Sequence, residues 1–202
     1  MSEEISADVR WSAELEQHFK EVGERSQCLG ILHGHAEQLF GNRKTKLELP
    51  VIVLSAVTGF LSVGSVQIFQ GWSYTPVVLG VSSLFVSVLN TIGSYFGFAK
   101  RQEGHRISAI QYAKEYRFLQ RELLLPREER MTASDLMKKV KDDYDRLAEI
   151  SPALPPESVA FFNSRYKGHG IAKPEEVNGL TEIKVLGVER VVSLKPITPS
   201  PD

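Results

Sequence analysis

From Leu49 to Ala99 the chain has no Asp, Glu, Lys, Arg or His, a run of 51 residues without a formal charge. A helix lying on a water-soluble core keeps a polar stripe toward solvent, so this run is no ordinary surface segment. Cysteine is nearly absent as well: Cys28 alone excludes an internal disulfide framework and a cysteine-rich metal centre. The sequence lacks a Gly-rich phosphate loop, an HExxH pair and a nucleophile elbow. No enzyme and no cofactor are expected. Charge is segregated rather than scarce, with 15 acidic or basic residues before Leu49 and 34 after Ala99, for a net charge of -1.

The uncharged run divides at Gln70-Gly71-Trp72-Ser73-Tyr74-Thr75-Pro76 into apolar stretches over residues 50–69 and 76–98. Each is about 20 residues, the length that crosses a hydrocarbon core of about 30 Å as a helix. The reading is an integral membrane protein with a two-span hairpin; the alternative is a helical hairpin buried in a soluble core. An export signal is not expected, because about 48 polar residues precede the first stretch. Pro50 suits the first turn of the first span. Arg43, Lys44 and Lys46 precede that span, Lys100 and Arg101 follow the second, and the connection carries no charge. Basic flanks stay in the cytosol, so both termini are expected there, with Trp72 and Tyr74 near the opposite interface.

Polar side chains in the two spans are aligned. Ser55, Thr58, Ser62 and Ser65 share one face of the first span, and Ser83, Ser87, Asn90 and Ser94 share one face of the second. Two readings compete for these stripes. Small residues permit close helix packing, as does the Gly93/Gly97 pair. Alternatively, several subunits turn one stripe toward a polar conduit, and these eight residues are the candidate pore lining. Asn90 is the most informative, since an amide is expensive to leave unpaired in lipid. Two spans cannot enclose a channel alone, so conduction requires a homo-oligomer, naturally a closed ring.

The flanks read as helices. Residues 1–48 hold a helix from about Trp11, capped by Asp8 or Ser12, with a coiled-coil-like seam at Leu15, His18, Val22, Arg25, Leu29, Leu32, Ala36 and Leu39. Gly30 and Gly34 suit close approach or a bend. Residues 100–150 hold two helices. The first has an apolar side at Ile107, Ile110, Tyr112, Tyr116, Leu119 and Leu123 and stops at Pro126. The second starts at Thr132 with Asp135 completing a capping box, and carries Leu136, Val140, Tyr144 and Leu147. Residues 151–202 form a Pro-rich extension, irregular over 157–180, with short strands over 181–194 and a disordered tail. The fold expected is an all-α membrane hairpin topped by a cytosolic bundle.

Other signals are weak. In His33-Gly34-His35 the imidazoles point apart on a helix and lack further ligands, so no metal is expected. His105 is a candidate pH sensor; the alternative is a hydrated residue beside headgroups. Ser151-Pro152 and Ser200-Pro201 are common dipeptides that can accept phosphate. Lys138, Lys139 and Lys141 run into Asp142, Asp143 and Asp145, which argues against nucleic acid as a partner. Lys100, Arg101 and Arg106 suit anionic lipid headgroups.

Several segments together resemble the SLATT-like two-transmembrane effector family. They are His35-Ala36-Glu37-Gln38-Leu39-Phe40-Gly41-Asn42-Arg43, then Leu49-Pro50 and Leu54-Ser55-Ala56-Val57-Thr58-Gly59. Beyond the second span come Glu103-Gly104-His105, Tyr112-Ala113-Lys114-Glu115-Tyr116 and Ser151-Pro152-Ala153-Leu154-Pro155. The resemblance covers residues 11–156 and implies a membrane effector that forms a pore or disrupts the membrane after an intracellular signal. The chain departs from the pattern in having no recognisable nucleotide-generating or nucleotide-binding domain, so either the sensor is another protein or the function has shifted toward constitutive ion conduction or scaffolding. The function expected is an oligomeric ion channel or pore-forming effector. The alternative is a nonconducting, membrane-anchored helical scaffold or regulator for cytosolic partners.

Overall fold

The computed structural model describes residues 10–68, 73–180 and 182–183, and within them every regular element is helical. Helix α1 (Ala13–Ile68) is the spine, followed by α2 (Thr75–Phe96), α3 (Phe98–Leu124), a 3-10 turn (Arg127–Glu129), α4 (Ala133–Ile150), α5 (Pro156–Arg165) and α6 (Glu175–Asn178). At about 1.5 Å per residue, α1 is about 84 Å long, and α2 followed by α3 returns along it.

The sequence reading begins a separate span at Pro50, whereas α1 runs through it without a break. Proline removes the bond to the carbonyl four residues back. That carbonyl belongs to Lys46, on an exposed turn, where water can satisfy it. The opposite difference occurs after the second apolar stretch. Gly97 adopts φ 59°, ψ 37° and ends α2, with its N–H donating to the Gly93 carbonyl, before α3 starts one residue later. A left-handed residue is inexpensive only as glycine, so Gly97 is a joint. A Cβ at Gly93 or Gly97 would meet nothing within 4 Å, so neither serves as a packing notch within the chain.

The core lies where α1, α3 and α4 meet. Leu15, Phe19, Leu119, Ala133, Leu136 and Val140 form its outer end. Cys28, Leu29, Leu32, Tyr112, Leu147 and Phe162 form the end nearer the apolar hairpin. The α1 seam expected from a strict heptad drifts: Phe19 and Phe40 are buried, whereas His18 is exposed and Leu39 only half-buried. A straight α-helix repeats every 3.6 residues, so a 3.5-residue seam loses phase over several turns. On α3 the expected Tyr112 and Leu119 are buried, but Ile107 and Ile110 are exposed, and the seam is completed by His105, Ser108 and Glu115. At α4, Thr132 caps as expected, accepting from the Asp135 N–H at 3.1 Å, while its hydroxyl donates to the Asp135 carboxylate at 2.7 Å. At the start of α1, Ser12 Oγ accepts from the Leu15 N–H at 3.2 Å; Asp8 lies outside the described residues.

The segment read as irregular over 157–180 is instead partly helical and docked. Pro156 occupies the first turn of α5, and Ser158 and Phe162 are buried against the bundle. The short strands expected over 181–194 and the tail lie outside the described residues, apart from Glu182 and Ile183, which belong to no regular element.

Candidate functional site

Two helices, α1 and α2, are long and apolar enough to cross a membrane, and the apolar windows of both are unburied. Phe60 is 68% exposed, Val63 85% and Leu84 65%, and no residue of α2 is buried. The apolar stretches therefore do not serve as the core of this chain, as the soluble-hairpin alternative requires.

The hairpin has its own seam. On α1 the half-buried positions are Leu47, Val51, Leu54, Thr58 and Leu61; on α2 they are Thr75, Leu79, Ser82, Val86, Leu89 and Gly93. Both follow alternating steps of four and three, which keeps one face of each helix toward the other. Among the expected pore-lining residues, only Thr58 falls on this seam. Ser55 and Ser62 are exposed beside it, and Ser62 Oγ donates to the Thr58 carbonyl at 2.7 Å. Ser65 lies in a stretch whose side chains are outside the description. On α2, Ser83, Ser87, Asn90 and Ser94 are all exposed, one residue around the helix from the seam. Their stripe is thus not consumed by packing against α1.

The basic flanks come together at one level. Lys44 and Lys100, with Asn90 and Ser94, line a groove of about 330 Å³ between α1 and the α2–α3 joint. Arg43 and Arg101 lie over the Phe40 ring at 5.5 and 5.8 Å, and Arg43 also pairs with Glu157 of α5 at 2.7 Å. Lys44 pairs with Glu48 at 3.9 Å, and Lys46 is exposed. At the other end Tyr74 is 68% exposed at the start of α2, and Trp72 lies outside the described residues.

Just beyond this level, the structure corrects the reading of His105 as a hydrated residue. Its ring is 1% exposed and meets His33, 2% exposed, with the two Nδ1 atoms 2.8 Å apart. Phe40 stacks on His105 and Tyr112 stacks on His33. Burial, followed by the charge of its partner, holds His33 down to about 4. His105 is lowered by burial and then by Arg101. His35, two residues from His33, faces a different element: its ring stacks on Phe161 at 4.0 Å and its Nδ1 lies 3.0 Å from Ser158 Oγ. The divergence expected of neighbours two apart on a helix is therefore present.

Sequence reasoning missed His33 as the partner of His105 and missed Glu115. The available signal is spacing: His105, Ser108, Tyr112, Glu115 and Leu119 repeat in steps of three and four, but three of the five are polar, so an apolar pattern does not pick out the row. Comparison with family models, curated proteins and solved structures finds no match to this chain.

Proposed function

We propose that this chain is a two-span membrane protein whose copies assemble into an ion-conducting pore, with both termini in the cytosol. The observation that carries the reading is the unspent stripe Ser83, Ser87, Asn90 and Ser94 on an otherwise apolar helix. Among the described residues nothing hydrogen-bonds the Asn90 amide. In lipid such a group is costly, so the stripe favours a partner helix or a water-filled axis. Repetition of the hairpin around an axis supplies both at once: the apolar faces meet lipid and the α2 stripes face inward. Basic residues at the α1 and α3 ends of the hairpin, with none at its tip, support the orientation. The resemblance to SLATT-like effectors points the same way and adds an intracellular trigger delivered through the helical collar.

A specific observation favours the second reading, a nonconducting scaffold. Ile107 and Ile110 are 41% and 51% exposed on α3, within the collar and away from its core, and offer a surface to a cytosolic protein. Ion flux into liposomes separates the two. The pore reading expects flux from the reconstituted chain, reduced severalfold by Ser87→Ala and Asn90→Leu with the oligomer unchanged. A stable oligomer that passes no ions under any trigger, or flux indifferent to both substitutions, contradicts it.

A further inference from the structure

We propose that His33 and His105 form a proton-operated latch that holds α1 to α3 at the base of the apolar hairpin. The two rings come from different helices, are almost wholly buried and face each other through like atoms, Nδ1 to Nδ1 at 2.8 Å, with ring centroids 5.1 Å apart. A nitrogen–nitrogen contact this short is a hydrogen bond only if one Nδ1 carries a proton and the other does not. At neutral pH the pair therefore holds two different tautomers: one ring is Nδ1–H and donates, and the other is protonated on Nε2 and accepts.

Proton addition then has two distinct consequences. The first proton goes to the free Nε2 of the donating ring; the Nδ1–H still donates, now from a cation, and the contact persists. The second goes to the accepting Nδ1, the only lone pair between the rings. Both nitrogens then carry hydrogen, no acceptor remains and two positive charges share a buried site. The latch must open.

The surroundings bias these steps. On the hairpin side, Arg43 of α1 and Arg101 of α3 lie over Phe40, which stacks on His105, so positive charge opposes protonation. On the other side His33 borders a cavity of about 900 Å³ whose charged and titratable lining is Arg25 of α1, Tyr112 of α3, Tyr144 of α4, and Glu175 and Glu176 of α6. On α5, Glu157 is engaged by Arg43. The cavity gives water, and with it protons, a route to His33. The device belongs to the α1–α3 contact and stands whether or not the hairpin conducts.

The test uses the full chain in nanodiscs with spin labels at two exposed positions, Gln38→Cys and Ile110→Cys, in a Cys28→Ser background diluted with unlabelled chain. Between pH 7.5 and pH 4 the distance distribution of the wild-type pair is expected to move to longer values and return on neutralisation. In His105→Asn the amide presents both donor and acceptor near the former Nδ1 without acquiring charge, so the distribution stays short. An unchanged wild-type distribution while both rings protonate, or an Asn variant that opens as the wild type does, overturns the proposal. Ring nitrogen resonances of the unsubstituted chain give an independent reading at pH 7.5: one Nδ1–H and one Nε2–H tautomer are expected. Two Nε2–H rings would equally overturn it.

Discussion

His33, His105, Ser108 and Glu115 occupy core positions that a hydrophobic reading assigns to Leu or Ile, and burial shifts the two histidines and Glu115 in opposite directions. His33 is buried neutral, held down to about 4, whereas the unfolded chain takes its proton near 6.5. Its contribution to stability is complete above about pH 6.5 and is lost as pH falls toward 4, by roughly 3 kcal/mol over that window. Glu115 is 5% exposed, with Oε1 unpartnered among the described residues. Burial first, and then the charge of Asp143, push it up to about 7 against Lys139, Lys114 and Arg146. Its neutral form contributes fully below about pH 4.5, and that contribution is lost as pH rises through 7. Glu115→Gln is therefore expected to raise the thermal midpoint at pH 8, by the equivalent of about 1–3 kcal/mol, and to have little effect at pH 4.5. Midpoints in detergent at the two pH values check this; equal effects at both would contradict it. His105→Asn should flatten the fall in stability between pH 6.5 and 4.

At the scale of elements, the sequence is most readable where chemistry is local. Proline and a Thr132 cap mark the α3–α4 connection, and α4 carries its apolar face at Leu136, Val140 and Leu147, all three buried. Reading fails where distant packing decides. Phe162 looks patternless because its partners, Cys28, Leu29 and Tyr112, lie far away in sequence. Phe162→Ala should cost about 3–5 kcal/mol and expose residues 156–166 to hydrogen exchange while α1 and α3 stay protected. Gly104 shows a similar long-range dependence: an added Cβ would lie 2.8 Å from the Pro152 ring. Gly97 is a third case, a packing notch by spacing but a left-handed joint by conformation. Gly97→Ala should cost about 1–2 kcal/mol and favour a straight α2–α3 helix, measurable as a changed label distance between α1 and α3. An unchanged distance would remove Gly97 as the joint.

For the whole molecule, the decisive pattern is the separation of charge from apolar length. The first part of α1 builds a bundle with α3 and α4 around its own core, and the rest of α1 together with α2 presents Ile52, Phe60, Val63, Leu84 and Phe85 to the surroundings. That division was legible from the uncharged run alone. Which face of α2 is spare was not, because stripe phase says nothing about where the hairpin seam falls; the seam at Leu79, Ser82, Val86 and Leu89 leaves Ser83, Ser87, Asn90 and Ser94 outside it. A pore needs that stripe at an axis shared by several copies. The structure of the assembled chain in lipid nanodiscs measures this most directly. The account predicts a closed ring with Ser87 and Asn90 of every subunit facing a central opening. A dimer or lateral array with those side chains buried between helices, and no axial opening, would contradict it.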